Sequence, residues 1–212
     1  MPIISFCNQK GGCGKTVGAV HLAAWLHRKR KKIHFVDADP QSSGATWMSL
    51  LSSQIPTSKI TDANELIERL PELAEQFQFV VVDGAANTSE STRAILCLSD
   101  VSVTPIQPTG LDLHSASEAI RLIKSAQKIT GGGRPRAAVF LSRATKGTRL
   151  KEEALSLLSQ IPDVKLLKTA IHSKQSIADC FTQECTIWEM KKAEDSAQEF
   201  EQLCKEILGL LK

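Results

Sequence analysis

A chain of 212 residues with 42% hydrophobic side chains holds enough apolar material for one well-buried domain and too little for two of ordinary size. No long apolar run is present, which excludes a transmembrane span, and the net charge is only +3. The six cysteines form no CxxC pair and have no histidines clustered near them, which argues against a disulfide framework or a zinc site and for a reducing cytoplasm.

The first predicted element is a buried strand at residues 3–7, so the reading expects no signal peptide. A glycine-rich turn follows, reading Lys10, Gly11, Gly12, Cys13, Gly14, Lys15, Thr16. Glycines let the backbone wrap around a phosphate, so that several N–H groups point at one anion. Lys15 is placed to reach the β- and γ-phosphates of a nucleotide, and the Thr16 hydroxyl to ligate Mg²⁺. The turn is a shortened relative of the GxxxxGK[ST] phosphate loop.

A helix is expected from Lys15 to about Arg30, closed by the basic run at 28–32, where cations suit the helix dipole. The next strand, 33–36, runs into Asp37-Ala38-Asp39-Pro40-Gln41, with its carboxylates beside the phosphate loop. A helix near 62–76 precedes the strand 79–82, which ends in Asp83-Gly84. An apolar strand followed by Asp is a Walker B pattern, in which the carboxylate holds Mg²⁺ through a water.

Farther along come a helix near 88–97, a strand at 101–106 and the proline-rich segment 104–112. Helices near 112–129, 148–159 and 193–211 alternate with strands at 137–141 and 164–167. Short, fully apolar strands alternating with helices predict an α/β fold: a mostly parallel twisted sheet with helices on both faces and ligands at the strands' carboxyl ends. Residues 1–212 are read as a single nucleotide-binding domain.

Charge is uneven. Residues 121–174 hold 12 Lys/Arg against 3 Asp/Glu, or +9, while the segments before and after are net negative. A basic middle segment points to a polyanion, most simply DNA.

The second lysine of the loop, Lys10, carries a resemblance. The pattern KGGxGK[ST] at residues 10–16 resembles the deviant Walker A loop of the ParA/MinD superfamily of P-loop ATPases, and Asp37–Gln41 resembles its DxDPQ motif. With 80–84 and 105–112, the likeness covers essentially the whole chain and looks like the small subgroup that includes plasmid-partition and carboxysome-distributing ATPases. The resemblance implies Mg²⁺-dependent ATP hydrolysis with slow basal turnover. Gly11, Gly12, Cys13, Gly14, Lys15, Thr16, Val17 and Pro108 would surround ATP. Thr16, Asp37 and Asp83 would serve the metal. Lys15 and Asp39 would act in catalysis, Asp39 by orienting the attacking water. Lys10 would cross to the nucleotide of a second copy, so ATP would join two protomers.

The resemblance also implies a cytoplasmic, nucleoid-associated positioning switch. Its ATP dimer would bind DNA without regard to sequence, and a cargo-bound adaptor of the ParB or McdB kind would release it by stimulating hydrolysis. The basic segment offers Arg134, Arg136, Arg143, Lys146, Arg149, Lys151, Lys165, Lys168 and Lys174 as DNA-binding candidates, with Lys191 and Lys192 added to them. Arg149 and Lys151 have the dimer seam or the nucleotide as an alternative, and Lys174 stands where relatives often carry a basic residue used on DNA. Two departures stand out. Val17 replaces a hydroxyl residue that contacts the α-phosphate in relatives, and Ala85-Ala86 replaces two prolines.

Two rival functions share the fold. A MinD-like membrane switch needs a basic amphipathic C-terminal helix, but 200–212 carries only Lys205 and Lys212 against Glu201 and Glu206 and reads as core-packed. An iron–sulfur electron carrier needs paired cysteines at strand ends, and Cys97 has no such companion.

Overall fold

Short apolar runs become strands: β1 (Ile3–Phe6), β2 (Ile33–Asp37), β3 (Thr57–Lys59), β4 (Phe79–Asp83), β5 (Val101–Ile106), β6 (Arg136–Leu141) and β7 (Val164–Leu166). The structure is a computed structural model. It describes the backbone of residues 1–86 and 90–212, and their side chains except those of 111–115. The strands form one parallel sheet in the order β3-β2-β4-β1-β5-β6-β7. β1, β2 and β5 are buried along their whole length, as strands covered on both faces must be.

The helices are α1 (Lys15–Arg28), α2 (Ser43–Leu50), α3 (Ala63–Gln76), α4 (Glu90–Leu98), α5 (Gly110–Ile129), α6 (Arg149–Ser159), α7 (Gln175–Thr182) and α8 (Glu194–Gly209). Asp62 starts α3 by accepting the N–H groups of Asn64 and Glu65. Phe6, Leu22, Phe35, Trp47, Phe140, Phe200 and Ile207 belong to one core cluster, built from β1, β2, β6, α1, α2 and α8. Val80, Val82, Leu66, Leu70, Ile95 and Ile123 belong to another, joining β4 to α3, α4 and α5. A third joins α5 and α6 to β6 through Ile120, Val139, Leu141 and Leu158.

The α/β architecture and the strand positions agree with the sequence reading. The structure adds α2, β3 and α7. Strand β3 is a short edge strand whose Thr-Ser-Lys sequence has no apolar signature.

The run at 28–32 does cap α1. Lys29 and Lys31 donate backbone N–H groups to the carbonyls of Trp25 and Leu26, and Arg30 takes a left-handed turn. Three of its cations rest on rings: Arg28 on Trp188, Lys29 on Trp25, Lys32 on Phe77. The apolar face of α8 is committed to the core, with Phe200, Leu203, Cys204 and Ile207 buried. No helix among the described residues is long and apolar enough to cross a membrane.

Candidate nucleotide site

The glycine loop joins β1 to α1 at the carboxyl edge of the sheet, between the ends of β4 and β5. Gly12 and Gly14 have φ of 72° and 104°, a left-handed backbone that side chains other than glycine resist. Gly18 allows α1 to sit down on β1, since a Cβ there would lie 2.6 Å from the Phe6 ring.

Contacts with β5 and with the residues just after β5 and β6 hold the loop in shape. Asn8 Nδ2 donates to the Pro105 carbonyl at 2.8 Å, Gln107 Nε2 to the Gly12 carbonyl at 3.0 Å and Ser142 Oγ to the Cys13 carbonyl at 2.6 Å. Asn8 Oδ1 also accepts the Lys10 N–H at 3.1 Å. Lys15 is buried, with its ammonium 3.2 Å from the Lys10 carbonyl, and the Cys13 thiol shares that acceptor. With its carbonyls tied to side chains, the loop is preorganised for an anion.

Three acidic residues converge on this loop. Asp37 is fully buried; its Oδ1 accepts the Asp39 N–H at 3.0 Å and its Oδ2 the Ala45 N–H at 2.7 Å. Burial pushes its carboxyl up, and those N–H groups pull it partly back. Asp39 is half-buried at the open side and accepts the Gln41 N–H at 2.9 Å. Asp83 is fully buried, and neither of its carboxylate oxygens has a hydrogen-bond partner. Burial drives it up to about 7, with the neighbouring Thr16 hydroxyl and Lys15 ammonium opposing.

A buried carboxylate left without donors suits a cation that completes its coordination. Thr16 and Asp37 supply further oxygens beside it, so the residues present fit Mg²⁺. Gly44 keeps this corner open: a Cβ there would lie 2.9 Å from Asp83 Oδ2 and 3.1 Å from Asp37 Oδ2.

Val17 lies half-buried on a cavity of about 310 Å³, which reaches from Gly14 to Ser142, Arg143, His172 and Lys174 over a floor of Phe140, Ile171 and Phe200. Its isopropyl group packs against the core. Pro108 is buried beyond the end of β5, next to the half-buried Gln107 that holds the loop. Sequence reasoning missed Gln107 as a loop contact, Ser142 and the His172 wall. Nothing short of the fold links residue 142 to residue 13.

Ala85 is buried and Ala86 half-buried after β4, where Gly84 donates its N–H to the Phe6 carbonyl. Residues 87–89 and the side chains of Leu111 and Asp112 lie outside the described part, so the end of the expected 105–112 segment does too.

The DNA candidates are scattered, and several are engaged. Arg149 pairs with Glu153 at 2.7 Å and Lys174 with Asp195 at 3.2 Å. Lys151 meets His172 Nε2 at 3.1 Å, while His172 Nδ1 faces Glu199 at 2.8 Å. Lys191 and Lys192 are exposed in the turn before α8. The six cysteines are free thiols, and no group of three or more His, Cys, Asp or Glu among the described residues is arranged to hold a metal.

The model of the CobQ/CobB/MinD/ParA nucleotide binding domain matches residues 4–187. Maintenance of carboxysome distribution protein A of Halothiobacillus neapolitanus is 24% identical over 97% of this chain and 95% of its own. Protein virC1 of Rhizobium radiobacter is 29% identical over 76% of this chain and 75% of its own. An ATP complex of a Cyanothece McdA variant superposes with a TM-score of 0.82 at 18% identity, over 99% of this chain and 96% of that one.

Proposed function

The chain belongs to the CobQ/CobB/MinD/ParA nucleotide-binding family and is an ATPase that works on ATP with Mg²⁺, and from that premise we propose that it is a DNA-bound positioning switch. In this reading ATP joins two copies, the dimer holds DNA without sequence preference, and an adaptor on the cargo triggers hydrolysis and release. The cargo is of the kind served by its relatives, carboxysomes or low-copy plasmids; a relative covering nearly its whole length is by name a carboxysome-distribution protein.

The observation that carries the reading is the pairing of a preformed loop with Lys10 at its half-buried outer side. Lys15 turns inward, with its ammonium against the Lys10 carbonyl, and so serves its own loop. A second lysine at the rim can therefore serve the nucleotide of a facing copy. Phosphoryl transfer asks for positioning and charge neutralisation more than covalent chemistry. The loop N–H groups and Lys15 hold the phosphates, Asp39 orients water from the open side, and Asp37 fixes the neighbouring backbone. Thr16 and Asp83, with Asp37 behind, would hold Mg²⁺, which would supply charge neutralisation for the transfer. The cavity beside Val17 receives the nucleoside.

The test is binding to a random-sequence duplex with ATP, with ADP and without nucleotide at two salt concentrations, with dimerisation followed by light scattering. Tight, salt-sensitive binding and dimer formation with ATP alone are expected. DNA binding that ignores nucleotide, or no binding at all, overturns the reading. A MinD-like membrane switch is disfavoured by α8, whose apolar face is already buried.

A further inference from the structure

The lower half of α5 carries a basic ridge. Arg121, Lys124 and Lys128 recur at helical spacing, so they share one side of the helix. A cavity of about 320 Å³ on one flank is lined by Arg121, Ser125 and Ile129 of α5 and by Arg93 of α4. An open groove of about 730 Å³ on the other is lined by Lys124 and Lys128 with Arg136 of β6 and Lys165 of β7. Asp163 is the acidic residue in that lining. Glu118 is the nearest carboxylate up the helix.

Arg136 and Lys165 are among the cations nominated from the sequence, whereas Arg93, Arg121, Lys124 and Lys128 are not. Among the described residues, Arg93, Arg121, Lys124, Lys128 and Lys165 take part in no ion pair, and Arg136 gives a guanidinium N–H to the Leu210 carbonyl. All but Lys124 are exposed, and Lys124 is partly so. Gly132 and Gly133 form part of the groove wall, and nothing lies within 4 Å of where their Cβ atoms would be. A phosphate backbone can therefore approach the main chain closely. The ridge lies toward the amino edge of the sheet, since α5 descends from the end of β5 to the start of β6, while the nucleotide loop is at the opposite edge.

We propose that this ridge is the surface on which duplex DNA lies, contacting phosphates through Arg121, Lys124, Lys128, Arg136 and Lys165. The inference rests on the DNA-bound reading above and gives it a location. Cations without acidic partners release bound counterions from DNA at no cost in broken ion pairs. A lipid surface fits the ridge less well. An interfacial helix must present an apolar face, and the apolar side chains of α5 at Ile120, Ile123 and Ala126 are buried in the core, leaving Ile129 exposed at its end. Because the ridge and the loop are at opposite edges, DNA and a second protomer can be held at the same time.

The experiment uses the full chain and the variant Arg121→Glu/Lys124→Glu/Lys128→Glu. Binding to a random-sequence duplex with ATP is measured across a salt series, alongside retention on phosphatidylglycerol vesicles, ATP turnover and ATP-dependent dimerisation. The expected result is a loss of DNA affinity of at least about tenfold and a log K against log salt slope shallower by about 2 to 3, with turnover and dimerisation unchanged. The milder Lys124→Gln/Lys128→Gln protein, expected to flatten the slope by about 2, keeps the test decisive if the triple variant folds poorly. Wild-type binding that both variants preserve overturns the ridge alone. A wild type that ignores DNA in every nucleotide state overturns the DNA-bound reading and the ridge with it. Retention on vesicles in place of DNA also overturns it.

Discussion

Asp37 and Asp83 are register partners on the adjacent strands β2 and β4, yet only the Asp37 carboxylate accepts backbone N–H groups. One carboxylate is thereby fixed to the backbone and the other left for a cation. Burial keeps the Asp83 carboxyl protonated up to about pH 7, so proton and metal compete for it. The Mg²⁺ concentration needed for half-maximal ATP turnover should rise by about tenfold for each unit of pH lost below 7. Asp83→Asn should lower turnover by at least about 100-fold and abolish that dependence. A Mg²⁺ requirement unchanged between pH 8 and 6 would count against Asp83 as the metal's carboxylate.

Asp39 and Lys10 should separate chemistry from assembly. Asp39→Ala should bind ATP normally, hydrolyse it at least about 100-fold more slowly and accumulate as a dimer. Lys10→Ala should bind ATP and remain monomeric in light scattering. Normal hydrolysis by the first, or a normal ATP dimer from the second, would remove that residue from its role.

Val17→Thr restores a hydroxyl beside Gly14 at little change in volume. One added hydrogen bond to phosphate should tighten ATP binding by roughly fivefold, given a net worth of about 1 kcal/mol. Titration with a fluorescent ATP analogue checks this, and weaker binding would show that the apolar wall matters more.

His21 makes stability depend on pH. Its ring stacks on Phe200 at 4.1 Å, with Nδ1 on the Val17 carbonyl at 2.7 Å and Nε2 accepting the Ile187 N–H at 3.2 Å. Burial lowers its pKa from 6.5 to about 4. Between those values the unfolded chain takes up a proton that the folded chain refuses, so stability rises with pH through this window and is fully present above 6.5. The contribution is on the order of 3 kcal/mol. His34, also lowered to about 4 by burial, adds in the same direction. Urea midpoints that stay level from pH 7 to 4.5 would contradict this account.

The sheet and the acidic loop ends were legible because each rests on a local pattern: an apolar run, a glycine turn, a carboxylate at a strand's end. Helix α2 was not, since Ser43 and Gly44 read as turn residues and its Trp47 is buried by α1 and α7 from far along the chain. The basic segment was visible as a sum of charge. Its division between two edges of the sheet was not, because Lys128 and Lys151 are separated by a strand that carries the chain from one edge to the other. Ion pairing also has no sequence signature over long range: Lys174 finds Asp195 only through the packing of α7 and α8.

The ties from Gln107 and Ser142 to the glycine loop have a consequence during synthesis. By residue 100 the ribosome has synthesised Lys15, Asp37 and Asp83, but neither Gln107 nor Ser142, whose side chains brace the loop. A nascent chain therefore gains its nucleotide grip only after β5 and β6 have joined the sheet. From then on, bound ATP resists every opening that would peel β6 away, so protease cleavage near residue 142 should slow as nucleotide is added.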